Sequence, residues 1–146
     1  MLVPSLVRVT SMLRQLKIGI VYFLLVFAVG FVLGPVRILW LVPRVGVRAA
    51  ELIEAPLMII VTWIAARWIV RHFSIPDCAS LRFGIGAFAL FLLVLAEVVV
   101  GVGLRHLSLS EIVLERDPVS GPVYLISLLL YGLMPALVAR ESNPLQ

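Results

Sequence analysis

Long apolar stretches separated by short polar segments dominate the pattern of the chain. Residues 18–36 contain no charged side chain, and at about 1.5 Å per residue these 19 residues span about 28 Å, close to the hydrocarbon thickness of a bilayer. Three further apolar runs follow, one of which is interrupted only by Glu97. The pattern therefore predicts four transmembrane helices, at about residues 15–36, 52–71, 83–104 and 120–139.

Two shorter segments have the pattern of helices that lie on a membrane surface. Residues 1–17 place apolar side chains at spacings of three and four, with basic side chains off that stripe. Ser108-Leu109-Ser110-Glu111 matches a capping box, which predicts a short interfacial helix at about residues 108–116. The expected fold is therefore all-α: an integral membrane bundle of four transmembrane helices with short interfacial helices, in a single domain over residues 1–146.

The ends of the first two helices leave alternatives open. Gly34-Pro35 is expected to end the first helix. Ala28-Val29-Gly30 resembles a signal-peptide cleavage site, but the apolar run continues past it, so we expect the first helix to be retained. The second helix either begins at Pro56, where a proline is harmless, or begins as early as Val45 and is kinked at Pro56. The sequence does not choose between these two starts.

Composition favours a membrane location. Hydrophobic residues make up 62% of the chain and charged residues 14%, against roughly 45–50% and 25% in soluble domains. The net charge is +4, yet the basic residues flank the apolar runs and form no continuous basic face. Anionic lipid head groups explain that arrangement better than nucleic acid does. We therefore expect the lipid bilayer as a partner and no nucleic acid.

The distribution of basic residues predicts an orientation. With four crossings both termini lie on one side of the membrane, and that side holds seven of the 12 basic residues, against five on the other side. Because cytoplasmic segments carry an excess of lysine and arginine, both termini are expected in the cytoplasm.

Glu97 lies about two thirds of the way along the third predicted helix. A carboxylate at that depth costs roughly 2.5–3.5 kcal/mol on insertion scales, so it should be paired, protonated or exposed to water. One interpretation is an ion or proton relay, or a contact with a substrate. The alternative is a structural ion pair buried between helices.

A second group of charged residues shares one face near the start of the second predicted helix. This group consists of Arg44, Arg48, Glu51 and Glu54, and Arg37 belongs to the same side of the membrane. We hypothesise that at least one of the three arginines pairs with Glu97 near the outer face. The candidate intramembrane polar cluster is therefore Arg37, Arg44, Arg48, Glu51, Glu54 and Glu97. Alternatively, Glu51 and Glu54 lie among the head groups, satisfied by water and nearby arginines.

The sequence carries no recognisable catalytic pattern, and we expect no catalytic residues, no cofactor and no metal site. His72 and His106 lie at opposite ends of predicted helices, so they cannot share a metal ion. Gly30 and Gly34 form a GxxxG pattern, which permits tight packing within the monomer or self-association of two copies. The hydroxyl of Tyr131, deep in the last helix, needs a partner, and Ser127 one turn away is a candidate.

A pattern of glycine, proline, arginine and acidic residues runs through most of the chain: Gly34-Pro35-Val36-Arg37, Trp40, Pro43-Arg44, Glu51 and Glu54, then Arg116-Asp117-Pro118. In this pattern the chain resembles small bacterial four-helix inner-membrane proteins. The resemblance implies a location in a bacterial inner membrane and no particular chemistry.

Three functions are compatible with these features. The first is an accessory or assembly component that acts without covalent chemistry and binds other membrane proteins or lipid. The second is an oligomeric transporter or channel component that uses Glu97 and the outer group of arginines and glutamates. The third is an enzyme that modifies lipid head groups, with carboxylates as acid or base. The missing catalytic pattern and the absence of a soluble domain favour the first.

Overall fold

The structure is a computed structural model that describes residues 3–103 and 117–138, with side chains described from Ser11 onward. Four α-helices make up almost all of this part of the chain. They are α1 (Val3–Val36), α2 (Val42–His72), α3 (Ala79–Gly103) and α4 (Ser120–Leu137), and a π-helical turn, Arg37–Leu41, joins α1 to the first residues of α2. Helix α2 is interrupted by non-helical backbone at Gly46. The predicted interfacial helix at 108–116 lies outside the described residues, as do the predicted ends of the third and fourth helices at 104 and 139.

Among the described residues, four helical segments are long and apolar enough to cross a membrane, which confirms the predicted all-helical class and agrees with the predicted four transmembrane helices. The segments are Ser11–Val45, Val47–His72, Ala79–Gly103 and Ser120–Leu137. A bilayer offers the backbone no hydrogen-bond partners, so each long apolar run has to satisfy its own N–H and C=O groups as a helix.

The first helix does not end at Gly34-Pro35, as the sequence predicts, but continues through the π-helical turn to Val45. Proline removes one backbone hydrogen bond, and the wider turn that follows Pro35 accommodates the disruption. The chain reverses at Gly46 instead, with φ +82° and ψ 164°, a conformation essentially reserved for glycine. Gly46 therefore forms the tip of a helical hairpin.

The second membrane-spanning helix takes the earlier of its two predicted starts. It begins directly after Gly46 and passes through Pro56, which lies inside the helix. The nitrogen of Pro56 carries no hydrogen, so the carbonyl of Leu52 loses its usual helical partner. The early start places about two and a half turns of helix before Pro56, and these turns carry Arg48, Glu51 and Glu54.

The helices pack in a ring. Helix α1 contacts α2 and α3, and α4 contacts the same two helices, so α1 and α4 face each other across the bundle. We call the end with Gly46, the end of α3 and the start of α4 the hairpin end. The opposite end, with residues 73–78 between α2 and α3, is the connection end. The buried apolar core lies toward the connection end, with Tyr22, Ile69, Ile85 and Val138 among its members.

Glycine allows two helices of the ring to touch through their backbones. A Cβ atom built on Gly86 in α3 would overlap the carbonyl oxygen of Gly132 in α4. The predicted GxxxG pair behaves differently, because a Cβ on Gly30 would lie 3.4 Å from the Cε of Met58, while a Cβ on Gly34 would have no atom of the described chain within 4 Å. Gly30 therefore packs within the monomer, and the close glycine contact of this bundle lies between α3 and α4.

Candidate functional site

The hairpin end brings together three of the six residues that the sequence singles out. Nη1 of Arg37 lies 2.8 Å from Oε2 of Glu54 and 3.9 Å from Oε1 of Glu51. All three side chains are partly buried. Because Gly46 reverses the chain between them, residues well separated in sequence meet on facing helices. Arg37 thus ties the end of the first span to the start of the second.

Arg48 binds a residue that the sequence analysis left outside the cluster. Its Nε and Nη2 donate to Oδ2 of Asp117, at 3.0 and 2.8 Å. Asp117 also accepts hydrogen bonds from the backbone N–H groups of Val119 and Ser120, at the start of α4. The hydrogen bonds from Arg48 and then from these N–H groups lower the pKa of Asp117 to about 2. The contact therefore stabilises the fold above the ordinary pKa of an aspartate and is lost as the pH falls toward 2.

Glu97 accepts a hydrogen bond from the hydroxyl of Tyr124, which joins α3 to α4. The sequence analysis proposed an ion pair between Glu97 and Arg37, Arg44 or Arg48. In the structure these arginines have other partners: Arg37 contacts Glu51 and Glu54, Arg48 contacts Asp117, and the guanidinium of Arg44 lies 3.8 Å from the centre of the Trp40 ring. One partner of Glu97 is thus a phenol from the neighbouring helix.

The polar contacts of the hairpin end form two layers. Asp117 precedes α4, whereas Tyr124 lies one turn inside it, and Glu54 lies about 9 Å further along its helix than Arg48, at about 1.5 Å per residue. The contact between Arg48 and Asp117 is therefore the outer layer, and the contacts of Arg37 and of Glu97 form a deeper one. Within the described ranges, no three histidine, cysteine, aspartate or glutamate side chains lie close enough together to hold a metal ion.

Arg82, at the connection end, is a charged residue that the sequence analysis missed. Its side chain is only 1% exposed. Nη1 donates to the carbonyl of Val138 at 2.7 Å and lies 3.1 Å from Oδ1 of Asp77, while Nε donates to the carbonyl of Pro76 at 3.2 Å. The signal that could have found it is its spacing, because Arg82 shares the buried stripe of α3 with Ile85 and Ala89.

A second missed feature is a pair of stacked tyrosines that spans the ring from α1 to α4. The ring centres of Tyr22 and Tyr131 are 4.8 Å apart, and the Tyr22 hydroxyl donates to the backbone carbonyl of Tyr131 at 3.0 Å. That carbonyl lacks its helical partner because the residue four positions on is Pro135. Tyr22 thus satisfies, from another helix, an acceptor that a proline has freed.

The predicted partner of the Tyr131 hydroxyl is wrong. Ser127 donates instead to the carbonyl of Val123, 2.8 Å away within its own helix. Within the described part of the chain the buried Tyr131 hydroxyl has no hydrogen-bond partner.

The contact between Tyr22 and Tyr131 predicts a dependence on Pro135. Tyr22→Phe keeps the stacked ring but leaves the Tyr131 carbonyl unsatisfied, so we expect a loss of about 1–3 kcal/mol in the free energy of unfolding. In a Pro135→Ala background the same change should cost at least about 1 kcal/mol less, because residue 135 then supplies the helical N–H. The free energy of unfolding is measured with sodium dodecyl sulfate in mixed micelles for the wild type, the two single variants and the double variant, and the four values form a double-mutant cycle.

Tyr131→Phe is the matched control for this cycle. It removes a hydroxyl that makes no described hydrogen bond, and its cost should be close to zero. Equal costs of Tyr22→Phe in both backgrounds would contradict the role assigned to Pro135.

Comparison with known proteins places the chain in no family. It matches no protein-family model, no curated protein and no solved structure.

Proposed function

We propose that this chain is an accessory or assembly component of a bacterial inner membrane that binds other membrane proteins or lipid without covalent chemistry of its own. One observation carries the proposal. The polar side chains bind one another between the helices, whereas large apolar side chains cover the outside of the bundle. Only 22% to 33% of the most apolar stretch of each span is buried inside the bundle. The remaining surface is available to lipid chains and to the helices of a partner.

The charged contacts of the hairpin end support a role in holding the helices together. Arg37 joins the first span to the second, Arg48 joins the second to the start of the fourth, and Glu97 joins the third to the fourth. Contacts of this kind between side chains of different helices stabilise the bundle.

We propose that both termini lie in the cytoplasm, because the side of the membrane that holds them carries more basic residues. Self-association is part of the proposal, with Gly34 as the glycine of the GxxxG pattern that faces away from the described chain.

Site-directed photo-cross-linking tests the proposal in intact membranes. A photoreactive residue at the outward-facing Ile60, which is 54% exposed, should give a discrete protein adduct heavier than the chain. The same residue at the fully buried Ala66, on the face of the helix that packs inside the bundle, is the control and should give none. The same adducts from both positions, or none from Ile60 and other outward positions, would contradict the binding of protein partners.

The rival function, an oligomeric transporter or channel component, is favoured by one observation. The contact between Glu97 and Tyr124 places two groups that can exchange protons side by side in the deeper polar layer. Purified protein in sealed vesicles should show no proton or potassium flux above that of empty vesicles. Flux that Glu97→Gln abolishes would overturn the accessory role and establish the rival.

A further inference from the structure

Arg14 and Lys17, in α1, are exposed basic residues at the connection end. They lie three residues apart, so their side chains are neighbours on one turn of the helix. Within the described ranges neither of them forms an ion pair. Asp77 is the acid that the described chain has at this end, and it is bound by an arginine of α3. Arg67 and Arg71, in α2 at the same end, have interaction partners of their own, which leaves Arg14 and Lys17 as the pair of cations whose charge no described residue compensates.

A backbone contact holds the Arg14 side chain in place at the end of α2. Nη2 of Arg14 donates to the carbonyl of Phe73 at 2.6 Å. Phe73 directly follows the last residue of α2, and the carbonyl end of a helix carries a partial negative charge that attracts a guanidinium. The carbonyl itself is neutral, so the full charge of Arg14 remains, and the guanidinium keeps further N–H groups that can donate to another acceptor. Arg14 is thus a cation that the fold holds in one position with donors available.

The outward face of α1 places Lys17 at the border between charge and hydrocarbon. Leu13, Lys17, Ile20 and Leu24 follow one another at spacings of four, three and four residues, and all four are exposed, so they form one stripe that faces the surrounding membrane. Residues 18–36 carry no charge. Lys17 is therefore the last cation before the apolar run, at the level where lysine and arginine meet lipid head groups.

We propose that this end of α1 binds the head group of an anionic phospholipid, with the phosphate between Arg14 and Lys17. An acyl chain then lies along Ile20 and Leu24, toward the middle of the membrane. A guanidinium matches the geometry of phosphate oxygens, and basic residues directly beside a membrane helix attract anionic lipids. The inference rests on the proposed function in one respect, since it selects lipid as the partner at this face.

Native mass spectrometry of the full chain in detergent tests the inference, with dioleoyl phosphatidylglycerol and dioleoyl phosphatidylcholine as probes. The wild-type chain should bind the anionic lipid more tightly than the zwitterionic one. Lys17→Gln should weaken binding of phosphatidylglycerol about fivefold, and Arg14→Gln combined with Lys17→Gln about twenty-five-fold, because each basic residue near an anionic head group contributes about one fivefold step. Binding of phosphatidylcholine should change little. The single variant removes no hydrogen bond or ion pair of the described chain, so a loss of binding there does not come from a loss of structure.

The matched control is Arg44→Gln at the hairpin end, which removes the same charge from another exposed residue. This variant should bind phosphatidylglycerol as the wild type does. Equal binding of the two lipids by the wild type, unchanged binding of phosphatidylglycerol by the double variant, or a loss in Arg44→Gln equal to that in Lys17→Gln, would overturn the inference.

The outcome is separable from that of the proposed function. If the wild type binds both lipids equally while the cross-link at Ile60 forms, the lipid site is wrong and the accessory role stands. If the anionic lipid is preferred but no protein adduct forms, the lipid site stands and the binding of protein partners is wrong.

Discussion

Gly86→Ala is expected to lower the free energy of unfolding by about 3 kcal/mol or more, the upper end of the cost of overpacking. The added methyl group would overlap the carbonyl oxygen of Gly132 and reach within 2.9 Å of its carbonyl carbon. Both atoms belong to the backbone of α4, so no side-chain rotation can make room for the methyl group. Helices α3 and α4 have to separate, and the hydrogen bond between Glu97 and Tyr124 joins the same two helices.

Gly84→Ala is the control for this effect, because it lies two positions away in the same helix. Its methyl group would come no closer than 3.8 Å to Oε1 of Gln15, which is an ordinary contact. Both variants are unfolded in mixed micelles and compared with the wild type. Similar stabilities of Gly84→Ala and Gly86→Ala would contradict the close backbone contact between α3 and α4.

Arg82→Met is expected to cost about 3 kcal/mol, because it leaves the buried carbonyl of Val138 and the partly buried carbonyl of Pro76 without this donor. Methionine fills a similar space, so the loss reports mainly on hydrogen bonding. The two carbonyls lie at the end of α4 and in the connection between α2 and α3. Arg82 therefore holds the connection end of the bundle together, and the variant should lose stability there first.

Asp77→Asn separates the hydrogen bonds of Arg82 from its ion pair. The Asp77 side chain is 78% exposed, and an ion pair with so exposed a partner contributes about 1 kcal/mol or less. We expect Asp77→Asn to be close to the wild type in the same unfolding measurement. A loss as large as that of Arg82→Met would instead show that the ion pair is the main interaction.

The sequence predicted that charged residues near the start of the second helix would have polar partners. It did not predict which residue each of them contacts. Arg37, Glu51 and Glu54 meet at the hairpin end, and the expectation that charged residues at membrane depth find polar partners describes them well. The structure also gives Arg48 and Glu97 partners that the sequence did not predict. Asp117 lies 69 residues from Arg48, and Tyr124 lies 27 residues from Glu97, so no local pattern indicates either contact.

The position of the first chain reversal shows a similar limit. Two glycines in this region lie near prolines: Gly34 directly precedes Pro35, and Gly46 follows Pro43 by three residues. The sequence favoured Gly34-Pro35 as the end of the first helix. A membrane helix tolerates proline because neighbouring groups and wider turns compensate for the lost hydrogen bond. The positive φ of Gly46 identifies the actual turn, and that angle is a property of the folded chain.

By itself the sequence determined the all-helical class of the protein and the four stretches that form helices long enough to cross a membrane. Apolar runs of this length allow only helices in a medium without water, so local composition was sufficient. The tertiary structure alone decided which helices are neighbours. For that reason only the structure shows that Arg82 is buried and that Glu97 contacts Tyr124. The same holds for the hydrogen bond that Tyr22 donates to the carbonyl left without a helical partner by Pro135. These contacts depend on the order and rotation of the helices in the ring. Both are set by packing between residues far apart in the chain, which no local pattern encodes.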